Sequence, residues 1–330
     1  MQDARASLAP RLATEMRSWK SIEMHVSEDR VFNAAFLSDN AIPCEILEET
    51  YIEDSQGNRF YDSFSSTRGR PDLKMRETFF CDGRQSVRLV FDIMNYKIDK
   101  PIEVVIERNF GREGSSCGTS RPMPYQIFFL NKIPLDEALS KATHLRGDRA
   151  LGRPCEVFLF SNVPCHNSTE EQVYYLDNET GIPLVHLEYN SRSDYLAGRE
   201  AMRWEARSLD TIQGHHFPLK SHDVVYQVDP HTGRLALCFT ADITVKSLSY
   251  NNRYNRERFW PGPEQGLVGD EMIPHQDLHP GEARVIHPGQ PTVAISADPP
   301  TDWTPTLSGL GMGVGLLMLA AALIARWWRR

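Results

Sequence analysis

Few stretches of this chain set reactive side chains at a spacing that chemistry requires. Gly114-Ser115-Ser116-Cys117-Gly118 matches G-x-S-x-G, the elbow in which a strained strand-to-helix turn exposes a serine nucleophile. Such an elbow must feed a helix, and Pro122 and Pro124 follow almost at once, so a flexible polar loop accounts for the same residues. His215, His216 and His222 fall in a strand-like stretch, while His275 and His279 have the spacing of two ligands on one helical face. Pro274 and Pro280 enclose that second pair and disfavour a helix there. Carboxylates crowd at Glu45, Glu48, Glu49, Glu53 and Asp54 without a spacing that selects an acid and a base. There is no P-loop, no G-x-G-x-x-G after a strand and no H-E-x-x-H. The sequence therefore nominates no catalytic residue, no cofactor-binding residue, no metal ligand and no cofactor, and it is read as a non-enzyme.

Cysteine and charge set further bounds. Cys44, Cys81, Cys117, Cys155, Cys165 and Cys238 are an even set compatible with export and disulfides, yet no C-x-x-C occurs. Cys155 and Cys165 bracket a short strand and loop, where one bridge or two buried thiols both fit. A net charge of −8 with scattered arginines excludes a nucleic-acid surface. Asn167-Ser168-Thr169 and Asn178-Glu179-Thr180 are sequons that matter only on a eukaryotic secretory route.

The elements that would position any site are mostly strands. Ala4 to Trp19 carries Leu8, Leu12, Met16 and Trp19 at helical recurrence, with Pro10 expected in or near the first turn. Ile42 to Glu53 and Arg59 to Phe64 flank a polar turn, and Lys74 to Cys81 and Gln85 to Phe91 flank Asp82-Gly83, so each pair predicts a hairpin. Ile102 to Ile106 reads as a strand, Arg112 to Pro124 as a loop, and Pro134 to Thr143 as a helix opening on proline. Glu156 to Phe160, Gln172 to Leu176, Pro183 to Tyr189, Met202 to Leu209 and Phe217 to Val228 are further strands. From Leu235 an apolar row, Leu235, Leu237, Phe239, Ala241, Ile243 and Val245, alternates with polar residues and predicts a long strand with one covered face.

The chain ends differently. Residues 271–305 are rich in proline and glycine and read as a linker. Residues 306–330 combine an uncharged run, Leu307 to Ala325, with Arg326-Trp327-Trp328-Arg329-Arg330, as a membrane-spanning helix with a basic cytoplasmic tail would. Gly309, Gly311, Gly313 and Gly315 give that helix a side suited to a helix partner in the membrane. The terminal arginines favour a single-pass protein whose body faces the periplasm or exterior. Met1 to Ser21 has no apolar core of the kind an export signal needs, so either the true start lies upstream or the signal has been removed, or else the protein is tail-anchored with its body in the cytoplasm.

Phe80-Cys81-Asp82-Gly83, Tyr175-Leu176-Asp177 with Gly181, Gly214 with Phe217-Pro218, and Phe259-Trp260-Pro261 with Gly266 and Asp270, following a first helix that ends in Trp19-Lys20-Ser21-Ile22, carry a resemblance. The chain resembles the LolA/RseB-like lipoprotein-carrier proteins, and more closely their bacterial relatives that end in a membrane anchor. The resemblance spans about residues 8–270 and implies an α+β fold for residues 1–270: a strongly curved antiparallel sheet, a half-open β-barrel, with helices covering the concave face. It implies a lipid, a lipoprotein or an extended segment as partner. The alternatives are an RseB-like structural or signalling ectodomain working through another membrane protein, and a membrane-tethered hydrolase. Two departures stand out: a soluble shuttle has no membrane anchor, and the N-terminus shows no export signal.

Overall fold

A computed structural model describes residues 4–37, 43–82, 85–92, 97–108, 121–131, 133–165, 168–229, 232–262, 267 and 283–288. The G-x-S-x-G stretch, His275, His279, Asn167 and residues 306–330 lie outside the described residues, as does most of 271–305. Among the described residues no helix is long and apolar enough to cross a membrane. The chain divides into two compact units. Unit 1 is residues 1–19, 26–39 and 122–249, and unit 2 is residues 20–25, 40–121 and 250–330.

Unit 1 holds α1 (Ala4–Arg17), the later part of β1 (Ser21–Phe32), α2 (Leu135–Ala138) and α3 (Arg192–Leu196). Its main sheet adds β9 (Thr143–Ala150), β10 (Arg153–Cys165), β11 (Ser168–Asp177), β12 (Pro183–Tyr189), β13 (Met202–Ala206), β16 (Lys220–Val228) and β17 (Leu235–Tyr250). From β1 the order runs β17, β16, β13, β12, β11, β10, β9, with antiparallel pairing from β17 to β9. Two small hairpins accompany it: β7 (Phe129–Leu130) with β8 (Ile133–Pro134), and β14 (Asp210–Ile212) with β15 (His215–Phe217).

Unit 2 is a six-strand meander: β2 (Ile46–Asp54), β3 (Arg59–Thr67), β4 (Arg70–Cys81), β5 (Gln85–Val90), β6 (Glu103–Arg108) and β18 (Ala283–Ile286), each paired antiparallel with its neighbour. Ile52, Phe60, Phe80, Val87, Leu89, Val104, Ile106, Phe259 and Trp260 pack on one face as its core. The opposite face is ionic. Glu53 accepts from Arg59 and from Arg121, and Tyr51 donates to it at 2.7 Å. Burial pushes the Glu53 carboxyl up, but the two guanidiniums outweigh it and hold the group at about 2.

The alternation predicted for the strands sets these elements, and the departures have local causes. The β2–β3 turn closes because Asp54 accepts from the Gln56 and Asn58 amides and Gly57 takes φ 83°. At the β4–β5 turn the Asp82 carboxylate accepts from the Gln85 amide and the Asp82 amide donates to the Gln85 carbonyl, so Asp82 closes the turn instead of standing at its centre as the Asp82-Gly83 signal predicts. In β17 the partner of Val225 is Phe239 and that of Tyr226 is Leu237, so Cys238 is an extra residue. This bulge flips the alternation: Cys238 is buried and Leu237 is exposed, where the sequence pattern puts Leu237 in the core row. Pro10 sits well inside α1 rather than at its start. The Pro134 helix is only one α-turn, α2, continued by a 3-10 turn Leu139–Lys141, because β9 already begins at Thr143. Within the expected linker, Ala283–Ile286 is an edge strand on β6. The Cys155–Cys165 bridge does not form: Cys155 is a free, buried thiol whose pKa burial pushes up to about 11, whereas Cys81 is disulfide-bonded.

Candidate functional site

In unit 1 the register sorts every side chain onto one of two faces. Val157, Leu159, Val173, Val185, Leu187 and Tyr189 form a cluster on one of them, with Tyr195 of α3 edge-on to Tyr189. The other face carries Phe158 and Phe160 (β10), Gln172 and Tyr174 (β11), His186 and Glu188 (β12), Trp204 (β13), Ser221 and Asp223 (β16) and Phe239, Ala241 and Ile243 (β17). Phe32 meets Phe239 at 5.2 Å between ring centroids, which extends this face to Glu28 and Arg30 on β1.

Short segments cover that face. The 3-10 turn Gln126–Phe128 touches β12, and the Phe129 carbonyl of β7 accepts from the Tyr174 hydroxyl at 3.4 Å. Phe128 stacks on Phe217 at 5.5 Å, and Tyr125 meets Phe129 edge-on at 5.3 Å. α2 packs on α1, whose Leu8, Leu12 and Met16 are buried. Two devices hold α1 in place. Glu15 accepts from the His216 amide at 2.8 Å and pairs with the His216 ring. Gly181, at φ 79°, lies so close that an added Cβ would stand 3.0 Å from the Leu12 nitrogen and 3.1 Å from the Leu8 carbonyl oxygen. The Gly181 turn is itself held by buried Asp177, which accepts from Arg153 at 2.7 Å and from the Thr180 amide and hydroxyl at 2.9 and 2.8 Å. Burial raises the Asp177 carboxyl, but those bonds outweigh it and leave it below the ordinary range. Asp177 and Gly181 of the resemblance are therefore anchoring residues of the cover.

Across the middle of this otherwise apolar face runs a polar stripe. His186 stacks on Tyr174 at 4.2 Å, and its Nε2 lies 3.3 Å from Gln172 Oε1, which also accepts from the Tyr174 hydroxyl. Gln172 in turn donates to Glu170 at 3.3 Å. On β1, Arg30 donates to Glu28 at 2.6 Å and lies over the Phe239 ring. Burial drives the His186 ring down to about 3. Burial, then the Glu170 charge, raises Glu188 to about 8. Burial followed by Glu28 and Glu188 pushes Asp223 well above its ordinary value, against the smaller pull of Arg30. His186, Trp204, Ser221 and Asp223 each keep one buried polar atom without a hydrogen-bond partner among the described residues.

None of the residues singled out in the sequence forms part of this stripe. His215 and His216 serve Glu15, His222 pairs with Asp242 at 2.7 Å, and Glu53 belongs to the ion cluster of unit 2. Among the described residues no three His, Cys, Asp or Glu side chains are grouped to hold a metal. Thr180 of the second sequon is buried under Asp177. The stripe left one signal in the sequence: Glu28 and Arg30 continue the apolar row Ile22, Met24, Val26.

No protein-family model and no curated protein matches the sequence. Solved structures do. The chain is similar to a LolA superfamily protein from Nitrosomonas europaea at 12% identity and TM-score 0.44, over 78% of this chain and 97% of that one. It is similar to an outer membrane lipoprotein-sorting protein domain from Vibrio parahaemolyticus at 12% and 0.43, over 78% and 97%. A DUF1329 family protein from Desulfovibrio piger gives 14% and 0.40, over 78% and 95%. The first two names belong to the group that the sequence resembles, and at such identities and TM-scores nothing about a ligand is argued from any of the three.

Proposed function

We propose that this chain is a non-enzymatic binding module that holds a lipid, a lipidated protein or an extended segment on the covered face of unit 1. In this reading residues 306–330 span the membrane, the part of 271–305 that follows β18 tethers the body, and the body stands on the periplasmic or extracytoplasmic side. The observation that carries it is the pairing of an apolar sheet floor with a cover of short segments. α2 is a single turn and β7 and β8 have two residues each, so displacing that cover breaks few backbone hydrogen bonds. Extraction of the full-length chain from membranes and mass spectrometry of its organic extract tests this. Stoichiometric amphiphile supports it, and an empty protein refutes it.

A second reading rests on the depth of packing. Phe158, Tyr174 and Trp204 are completely buried by the chain's own side chains, as in a structural or signalling ectodomain whose partner is another membrane protein. That reading expects no extracted lipid and a specific protein crosslink, through the glycine side of 306–330 or through the body. For topology, protease added to cells with a permeable outer layer digests an extracytoplasmic body and spares a cytoplasmic one.

A further inference from the structure

Four neighbouring atoms on the covered face of unit 1 have no partner among the described residues: His186 Nδ1, Trp204 Nε1, Ser221 Oγ and Asp223 Oδ1. They come from three adjacent strands in continuous register, His186 opposite Trp204 and Trp204 opposite Asp223. The four residues are 4%, 0%, 2% and 7% exposed, in that order. An orphaned buried polar atom is costly, natural proteins carry a few per 100 residues, and four of the nine in this chain's described residues belong to this stripe. Three across one register row, with a fourth two residues along β16, call for an occupant.

Their chemistry is lopsided. His186 Nε2 faces the Gln172 carbonyl oxygen, so it carries the ring proton and leaves Nδ1 as an acceptor. Ser221 Oγ can accept or donate, and Asp223 Oδ1 accepts once its carboxyl is ionised, while Trp204 Nε1 can only donate. Charge leans the same way. Glu28 (β1), Glu170 (β11), Glu188 (β12) and Asp223 (β16) lie on this face, and the guanidinium of Arg30 is already bonded to Glu28 at 2.6 and 2.9 Å. An occupant that brings donors and a positive charge suits this face.

We infer that the His186–Ser221–Asp223 stripe binds a primary ammonium group carried on an apolar tail, which rests on the binding-module reading and names the chemistry its ligand presents. Three N–H donors match three acceptors, and the charge offsets an uncompensated buried carboxylate. Trp204 N–H is left for water, or for an oxygen beside the nitrogen if the amine belongs to an aminoalkyl phosphate headgroup. Entry is from the Glu188 end, where that side chain is 26% exposed while His186 beside it is 5%. Without a cation, burial keeps Glu188 and Asp223 toward their protonated forms. An arriving ammonium therefore displaces a carboxyl proton into solvent.

Isothermal titration of the full-length chain near neutral pH, in two buffers of different ionisation enthalpy, reads both binding and proton release. Octylammonium, octyltrimethylammonium and octanol share a tail, and only the first brings a charged group with three N–H donors. Octylammonium binds at least about tenfold tighter than the other two and releases up to about one proton. Asp223→Asn and Glu188→Gln imitate the neutral carboxyls of the free fold, so both variants keep the circular dichroism of the parent, and each loses about tenfold in octylammonium affinity. A dihexanoyl phosphatidylethanolamine that binds more tightly than octylammonium, with the phosphatidylcholine weak, assigns the amine to a lipid headgroup, and no gain assigns it to a free amine. Equal binding of all three octyl probes overturns the ammonium site while leaving the binding module standing. Binding unaffected by both substitutions means a stripe filled by water and overturns it as well. No binding of any probe, together with no extracted lipid, overturns both.

Discussion

Glu188→Gln tests the electrostatics of the stripe without a ligand. Glu188 has an ordinary value of 4.5 and is raised to about 8 in the fold, so folded protein keeps a proton that the unfolded chain loses above pH 4.5. Its contribution is whole below pH 4.5 and is lost as pH rises to about 8. At about 1.4 kcal/mol per pH unit the loss is bounded by about 5 kcal/mol, and partial exposure of the side chain reduces it to about 3. Asp223 is raised as well and loses stability in the same direction. His186 runs the other way: it falls from 6.5 to about 3, so its loss comes as pH drops below 6.5. Glu53, lowered from 4.5 to about 2, loses its contribution only as pH drops below 4.5.

These windows overlap unequally. Below pH 6.5 the histidine opposes the raised carboxyls, and above 6.5 nothing in the stripe opposes them. The stripe therefore makes wild-type stability fall as pH rises from 6.5 to about 8. Glu188→Gln removes one of the two losing groups. Urea titrations followed by circular dichroism at pH 5, 6.5, 8 and 9, at constant salt, should show the variant equal to wild type at pH 5 and about 3 kcal/mol more stable at pH 9. Equal midpoints at pH 9, or a wild-type maximum above pH 7, would refute the assignment of Glu188 as a half-buried, protonated group.

Gly181→Ala adds a Cβ against the Leu8 carbonyl and Leu12 amide at a φ of 79°, and should cost about 2–3 kcal/mol, read as a lower urea midpoint. Glu53→Gln strips the charge that two buried guanidiniums share and should cost about 3 kcal/mol at pH 7, with a variant whose stability no longer falls between pH 4.5 and 2. Ser116→Ala should leave every ligand-binding and ester-cleavage readout at the wild-type level; a lost esterase activity would establish the hydrolase alternative. Cys44, Cys155 and Cys238 should react with a thiol reagent on full unfolding, with Cys155 and Cys238 protected in the native protein and Cys81 unreactive until reduction.

The strands of this fold were legible because period-two alternation is a local signal. Pro183–Tyr189 has the predicted bounds, and the turn at Asp54 and Gly57 closes with the residues that its chemistry requires. Three things were hidden. β9 contains Arg146, Gly147, Asp148 and Arg149, exposed residues with no apolar row, and it is a strand only because β10 supplies the ladder. The Cys238 bulge depends on which partner residues β16 offers. The stripe was hidden for a third reason. His186 and Glu188 alternate with Val185 and Leu187, so half of β12 reads as a wet face, yet both faces of that strand are covered. A polar residue at an alternating position looks the same in sequence whether water or a second layer lies above it.

That ambiguity bears on what the face is for. A sheet that needed only to fold could carry leucine at positions 186, 188 and 223, since replacing buried polar groups by apolar ones of similar shape is often neutral or stabilising. This chain instead keeps a histidine driven down to about 3 and a glutamate raised to about 8 on β12, and a raised aspartate on β16, one strand away across β13. By contrast, Glu53 in unit 2 is buried too, but it is bonded by Tyr51, Arg59 and Arg121 and held low, which is how a structural carboxylate is accommodated. The same protein thus shows both outcomes: one buried carboxylate with its charge matched inside the fold, and one stripe whose match is left to come from outside.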